Sequence, residues 1–204
     1  DEDVAEERTY LDLLLTRRVD GLILVPTGKA ADYAGFALAP RAPVVFIDRV
    51  IPGVPVDTVT VDNVSASQAA IEYLLRLGHR RIGIVTGLPH LSTSAERLKG
   101  YRRALRKGGI ALDPELVRQG DFRQEGAFAA AQSLLALRQR PTAIFASNNL
   151  MAIGTMLATG CTCSVVPMAS SRSASAAAAI ARSMTSGTSA WPNEIVSLFW
   201  IPPH

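Results

Sequence analysis

Cysteine is scarce in this chain: Cys161 and Cys163 are the only two. A single residue separates them, which makes a mutual disulfide awkward, and no His/Cys group at metal-ligand spacing accompanies them. A disulfide scaffold and a zinc module are therefore not indicated, and a reducing, cytoplasmic setting is expected. The histidines are His79, His90 and His204, none with a partner at metal-binding distance along the chain. His79 follows a helix-capping glycine and reads as a polar helix-end residue. His90 lies in the loop at 88–92 and is either solvated or turned to a ligand. No metal or cofactor is expected. Charge of one sign is not in clear excess, because 21 Lys+Arg against 18 Asp+Glu leave +3. That total is too weak to argue for nucleic acid, since phosphate binding needs basic residues gathered on one surface. No charged-then-apolar leader opens the chain and no apolar run is long enough to cross a bilayer, so no membrane partner is expected. The chain opens on Asp1 rather than methionine and reads as a trimmed record or a fragment. Catalytic signatures are missing as well: no G-x-x-x-x-G-K-[ST], no G-x-G-x-x-G after a strand, no G-x-S-x-G. No enzyme is indicated.

What is present suits a packed globular protein, with 48% hydrophobic and 19% charged residues. Up to about residue 157, short β-branched runs alternate with helix-period segments. A helix over 2–18 carries Val4, Leu11, Leu14 and Leu15 on one face, with acids at its start and Arg17 and Arg18 at its end. Residues 22–25 then read as a fully buried strand ended by Pro26. A weaker helix covers 30–38, and strands follow at 44–47 and 58–61. Asn63 can cap the next helix, whose stripe is Ala66, Ala69, Ala70, Tyr73, Leu74 and Leu77, with Gly78 where a left-handed C-terminal cap belongs. Then come a strand at 82–85, a polar loop through Ser92, Thr93 and Ser94, and a helix at 95–107. A strand at 116–120, a helix at 124–138, a strand at 142–146 and a helix at 148–157 complete the alternation. Apolar strands separated by amphipathic helices predict an α/β fold with parallel, doubly wound sheets. Ligands of such folds sit beyond the carboxyl ends of the strands, so the strand-to-helix loops are where chemistry is sought.

Four segments together resemble the effector domain of the LacI/GalR family of bacterial transcription regulators: RRVDGLILVP (17–26), PVVFIDR (43–49), YLLRLGHRRIGIVTG (73–87) with STSAERLKGYRRAL (92–105), and PTAIFASNNLMAIG (141–154). The middle piece is the most specific. The resemblance implies a two-lobed fold like that of the periplasmic sugar-binding proteins, with a ligand clamped between lobes. Residues 1–62 would form a partial N-terminal lobe and 63–158 the C-terminal lobe.

The resemblance also marks site residues. Arg97 matches the family's effector-contacting arginine, Phe122 an aromatic that stacks on ligand, and Asn148 a ligand-bonding amide; the polar Ser94 lies just before Arg97. Asp48 follows the strand at 44–47 and can accept two hydroxyl hydrogen bonds. Each has a plainer reading: Asp48 a partner for Arg49 or a turn residue, Arg97 a surface arginine, Phe122 a core aromatic, Asn148 an N-cap. A carboxylate, a guanidinium fork, an amide and an aromatic plate suit a sugar or related small metabolite. The implied function is ligand sensing in a homodimeric repressor that reaches operator DNA through a headpiece not found in this chain. The alternatives are a periplasmic sugar-binding protein of a transport system and an α/β enzyme using the same cleft.

Two departures stand out. The family's headpiece, first strand, first helix and second strand would precede Asp1, which leaves the strand at 22–25 with an unpaired apolar edge. The chain alone is accordingly expected to fold poorly or self-associate. Residues 159–204 form a divergent Ala/Ser-rich tail, read as low-complexity and poorly ordered, or as the product of a frame shift near 158–161.

Overall fold

A helix between two short apolar strands returns the chain to the edge it started from, so successive strands pair in parallel. The computed structural model of the chain describes residues 2–33 and 42–159, and the backbone of 166–168 and 196–200. Cys161, Cys163, the end of the expected helix at 30–38 and most of the tail lie outside the described residues. Two compact units result, one of Asp1–Asp62 with Leu91–Thr93, the other of Asn63–His90 with Ser94–His204.

The first unit runs α1 (Val4–Thr16), β1 (Leu22–Leu24), α2 (Ala30–Tyr33), β2 (Val44–Ile47) and β3 (Asp57–Val59). Its strands lie in the order β1-β2-β3, all parallel, with Leu24 opposite Phe46 and Phe46 opposite Thr58. Asp3 starts α1 by accepting the N–H groups of Ala5 at 2.8 Å and Glu6 at 3.1 Å. Of the four apolar residues expected to face inward from α1, only Leu11 is buried and Leu14 is exposed. The strand expected to be fully buried is not. Leu22 is covered, but Ile23 is 76% exposed, and Val59 on the same face is 64% exposed. Side chains alternate across a strand, so Ile23, Val25, Ile47 and Val59 share the face opposite Phe46, and that face has no covering layer among the described residues. The covered face holds Phe46 edge-on to Tyr33, with ring centroids 5.4 Å apart.

A carboxylate network ties α1 to the end of β1. The Tyr33 hydroxyl donates to Glu7 Oε1 and accepts from the Gly28 N–H at 2.7 Å. The other Glu7 oxygen accepts from the Thr27 N–H at 2.9 Å and from the Thr27 hydroxyl. Burial, and then the bonded Glu7 carboxylate, push the Tyr33 phenol above its ordinary ionisation range.

The second unit runs α3 (Asn63–Arg76), β4 (Ile82–Thr86), α4 (Ser92–Lys107), a 3-10 turn (Pro114–Leu116), β5 (Val117–Gln119), α5 (Gln124–Leu135), β6 (Ala143–Ala146), α6 (Asn149–Thr159), β7 (Val166–Met168) and β8 (Val196–Trp200). The strand order is β5-β4-β6-β8-β7. β4 pairs in parallel with β5 and β6, and every residue of it is buried. Ile82, Ile84, Ala143 and Phe145 point to one face, where Ala70, Ile71 and Leu74 of α3 and Tyr101, Ala104 and Leu105 of α4 close the core. The opposite face meets α5 and α6, with Gly83 against Leu134 and Gly120 against Val85 and Met151. This is the doubly wound arrangement expected. β8, from the apolar end of the tail, adds antiparallel to β6 with Ala143 opposite Trp200, and β7 pairs antiparallel with β8.

Gly78 ends α3 at a φ of 94°, and the His79 N–H bonds back to the Leu74 carbonyl at 3.1 Å. The left-handed cap expected there is present. His79 is then buried and reaches Thr142 Oγ at 3.0 Å. The Thr142 N–H and hydroxyl both reach the Arg81 carbonyl, at 2.8 and 3.2 Å.

Two outcomes follow. Tyr33→Phe leaves the Gly28 N–H and a Glu7 oxygen short of a partner, and is expected to destabilise the chain by roughly 1–3 kcal/mol in urea unfolding. Burial lowers the His79 pKa from 6.5, so the unfolded state takes up this proton first as pH falls. Stability should be full above the unfolded value and decline as pH drops through it. The urea midpoint is expected to fall on acidification below 6.5, above the range in which Asp113 and Glu72 titrate, and His79→Asn should flatten that part of the profile.

Candidate functional site

Parallel strands deliver all their carboxyl ends, and the helix N-termini that follow, to one edge of a sheet. In the first unit that edge carries Pro26, Thr27 and Gly28 after β1, and Asp48 and Arg49 after β2. Asp48 has a φ of 68°. The Arg49 N–H bonds to the Ile47 carbonyl at 2.8 Å, closing a three-residue turn around Asp48. A non-glycine residue at positive φ in so tight a turn stores backbone strain. Its carboxylate lies 3.8 Å from Arg49 Nε, so the turn role and the Arg49 pairing both hold. The buried Arg49 guanidinium grips Glu2 with two bonds of 2.6 Å and reaches the Pro26 carbonyl at 3.2 Å.

In the second unit the corresponding edge collects the other four candidates. The expected loop through Ser92, Thr93 and Ser94 is instead the first turn of α4, and Arg97 stands one turn further in. Ser and Thr are favoured at helix starts because their hydroxyls can serve orphan N–H groups, which moves the boundary back from residue 95. Arg97 Nε donates to Asn63 Oδ1 at 2.8 Å, and its Nη1 to the Ser147 carbonyl at 2.5 Å. Asn63 Nδ2 donates in turn to Glu96 at 2.9 Å. Arg97 is thus no free surface arginine: it joins α3, α4 and the loop after β6. One turn back on the same helix, Ser94 is 3% exposed and its hydroxyl has no hydrogen-bond partner among the described residues. A buried hydroxyl without a partner is costly, and at the ligand edge of an α/β sheet it suits an acceptor or donor from outside.

Phe122 and Asp121 both take left-handed backbone, at φ values of 65° and 54°. The Phe122 ring lies over Gly87, where an added Cβ would fall 2.1 Å from the nearest ring atom. Only glycine fits beneath it. The ring is buried, as the core-aromatic reading requires, but strained backbone at a strand's carboxyl end is also how a site aims a side chain. Asn148 Oδ1 accepts the Met151 N–H at 2.8 Å and caps α6, while its Nδ2 donates to the Phe122 carbonyl at 3.4 Å. The loops after β5 and β6 are thereby linked. Ser147, whose hydroxyl donates to the Val85 carbonyl at 2.8 Å, fixes the same loop to β4.

The structure places Ser94, Arg97, Phe122 and Asn148 around one edge of the second unit and Asp48 at the equivalent edge of the first. Sequence reasoning missed Asn63 and Ser147, which hold Arg97, and Arg49 as a buried cation. Arg49 carried a signal in its place beside Asp48 at a strand end; the Asn63 and Ser147 contacts join distant segments and carried none. Among the described residues no group of three His, Cys, Asp or Glu could hold a metal ion, and no helix is long and apolar enough to cross a membrane.

A parallel α/β unit with polar groups gathered at its strand ends has the layout at which ligands of such folds sit. The family model for periplasmic binding proteins and the sugar binding domain of the LacI family matches residues 1–166, and the chain belongs to that family. It is 36% identical over 151 residues to the HTH-type transcriptional repressor CytR of Escherichia coli (strain K12), covering 74% of this chain and 44% of that protein. To the ribose operon repressor of Haemophilus influenzae it is 34% identical over 152 residues, 74% and 46% of the two chains. Both of these relatives are repressors. A regulatory protein of the LacI family from Chloroflexus aggregans superposes with a TM-score of 0.66 at 31% identity, over 78% of this chain and 58% of that one. An ABC-type solute binding protein from Burkholderia multivorans does so with a TM-score of 0.71 at 26% identity, over 78% and 60%. The chain spans less than half the length of the curated relatives it matches.

Ser94→Ala is expected to leave stability unchanged or raise it by up to about 1 kcal/mol, because the hydroxyl loses no partner. Arg97→Ala, which strands Asn63 Oδ1 and the Ser147 carbonyl, should cost roughly 1–3 kcal/mol. Paired urea titrations separate the two.

Proposed function

We propose that this chain is the ligand-sensing part of a LacI-type DNA-binding transcriptional repressor of the bacterial cytoplasm. It binds a sugar or similar small metabolite through Arg97, Asp48, Asn148, Phe122 and Ser94, and that binding alters the operator affinity of the intact dimer. The observation that carries the reading is the buried Ser94 hydroxyl, without a partner among the described residues, one helical turn from Arg97 at the carboxyl ends of parallel strands. Arg97, already fixed by Asn63 and Ser147, is a preorganised cation for hydroxyls or a carboxylate.

Homodimer formation in the intact protein finds support in α6, where Leu150, Ile153 and Leu157 stand exposed at one-face spacing. Operator DNA is reached through a headpiece outside this sequence. The coupling required is on the order of 1–3 kcal/mol, and it arises only if the ligand prefers one arrangement of the protein over another. A sugar-binding protein of a transport system shares the fold, but the curated repressors are the nearer in identity and favour the regulator.

The test is a thermal-shift screen of pentoses, hexoses, disaccharides and nucleosides against the intact regulator. One class should raise the Tm by several degrees at saturating concentration. Ser94→Ala should abolish or sharply weaken that shift while keeping the ligand-free Tm. A shift undiminished in Ser94→Ala and in Arg97→Lys overturns the site, and no shift with any member of the panel overturns the ligand class.

A further inference from the structure

The winding of the second sheet explains every strand but one. β4, β5 and β6 run parallel and follow one another through helical crossovers, and β7, after α6, keeps their direction. β8 breaks the pattern by entering between β6 and β7, antiparallel to both. No tight hairpin puts it there: residues 169–195 separate β7 from β8, whereas the loop between antiparallel neighbours commonly takes about 2–5 residues. β6 gives one edge to β4, and its other edge, from Ala143 to Ala146, is matched residue for residue by Trp200 to Ser197. All of β6 is buried, so N–H and C=O groups along that second edge would be costly to leave unpaired. α3 from one face of the sheet and α6 from the other both lie against β8, which makes its place a slot rather than an open edge. β7 pairs with β8 alone, so its own position depends on that slot being filled.

We infer that the second edge of β6 is a docking slot for an extended apolar strand, and that residues 196–200 fill it as a tethered, replaceable plug. The mode is strand addition, in which main-chain hydrogen bonds hold a segment that the winding of the sheet did not supply. The occupant's sequence fits the slot. VSLFW is rich in residues favoured in strands, Pro202 and Pro203 stop it, and no charge falls between Ile195 and Pro203. An uncharged run of this kind is an aggregation hazard when exposed, so docking satisfies slot and segment together. Pro167 agrees with the same order, because proline lacks an N–H and suits the edge position that β8 leaves to β7. The long connection keeps the plug at high local concentration without forcing it into place. An added peptide of the same sequence therefore competes poorly until the chain's own strand is removed.

Two measurements on the full chain test this. In a Cys161→Ser, Cys163→Ser background, Ala146→Cys with Ser197→Cys should form a disulfide within one chain, because antiparallel partners stand about 4.5–5.5 Å apart at Cα. Ala146→Cys with Trp200→Cys, offset along the strand by about 10 Å, should not. Leu198 stands opposite Phe145 on one side and Val166 on the other, so Leu198→Pro removes a ladder N–H in mid-sheet and empties the slot. A fluorescent peptide of residues 194–204, followed by anisotropy, should bind the Leu198→Pro chain at least about tenfold more tightly than the unaltered one. The same peptide carrying the proline should bind neither. Equal cross-linking of the two cysteine pairs, or cross-links only between chains, overturns the proposal. So does a folded Leu198→Pro chain that takes the peptide no better than the unaltered chain. If circular dichroism shows that Leu198→Pro has lost its fold, the 146/197 pair decides instead: oxidation locks the plug and should abolish the peptide binding of the reduced form, and binding indifferent to oxidation overturns the slot.

Discussion

Parallel pairing of β4 with β5 on one side and β6 on the other is the constraint from which the second unit follows. Every residue of β4 is buried, so both of its faces must be roofed by helices. Those helices are α3 and α4 on one face and α5 and α6 on the other, drawn from the segments that precede, join and follow the strands. Once that is fixed, the loops after β4, β5 and β6 emerge at one edge, and the residues they carry become neighbours despite long separations in sequence. Arg97, Phe122, Ser147 and Asn148 are drawn together by topology before any of them bonds to another.

The contacts at that edge then divide into those that hold the scaffold and those that remain available. Asn148 caps α6 and links to the Phe122 carbonyl; Ser147 is bonded to Val85; Arg97 spans Asn63 and Ser147. Such bonds cost a site little when a ligand arrives, because its groups are already oriented. Strain points the same way. Three of the four non-glycine residues at positive φ, Asp48, Asp121 and Phe122, stand directly after strands β2 and β5. Helix and strand interiors have no such outliers among the described residues. Strain concentrated there, with Arg18 after α1 the fourth case, marks strand ends that their surrounding bonds over-determine, as a binding edge requires.

Much of this was legible in the sequence because it is local. Gly78 after a helical stripe specifies a left-handed cap whatever surrounds it, but the expected α3 stripe is only half right: Ala69 and Leu77 are exposed, and Ser67 and Ile71 are buried beside Ala70 and Leu74. The parallel α/β arrangement followed from the alternation of periods and from the family resemblance. What failed depended on neighbours. Residues 22–25 look like a buried strand, yet burial is a property of the sheet, and Ile23 faces a side with no cover among the described residues. The start of α4 was misplaced for the opposite reason: Ser92, Thr93 and Ser94 suit a loop and a first helical turn equally, and the helix that packs on β4 and β6 decides. The clamp on Arg97 was invisible because Asn63 and Ser147 lie far from it in sequence, and a partnerless hydroxyl at Ser94 is defined only by what does not surround it.

Net charge shows the same distinction between totals and placement. A sum of +3 describes a nearly balanced chain. Placement does not. Asp3 satisfies N–H groups at the start of α1, Glu2 neutralises Arg49, and Glu7 orders Tyr33 and Thr27, so these acids are consumed within the first unit. The bases of α4 are not consumed: its neighbours α3 and β4 offer Glu72 to Lys107 and, among the described residues, nothing to Lys99, Arg102, Arg103 and Arg106. Unneutralised like charges at one-turn spacing repel one another, which is a standing cost to the helix.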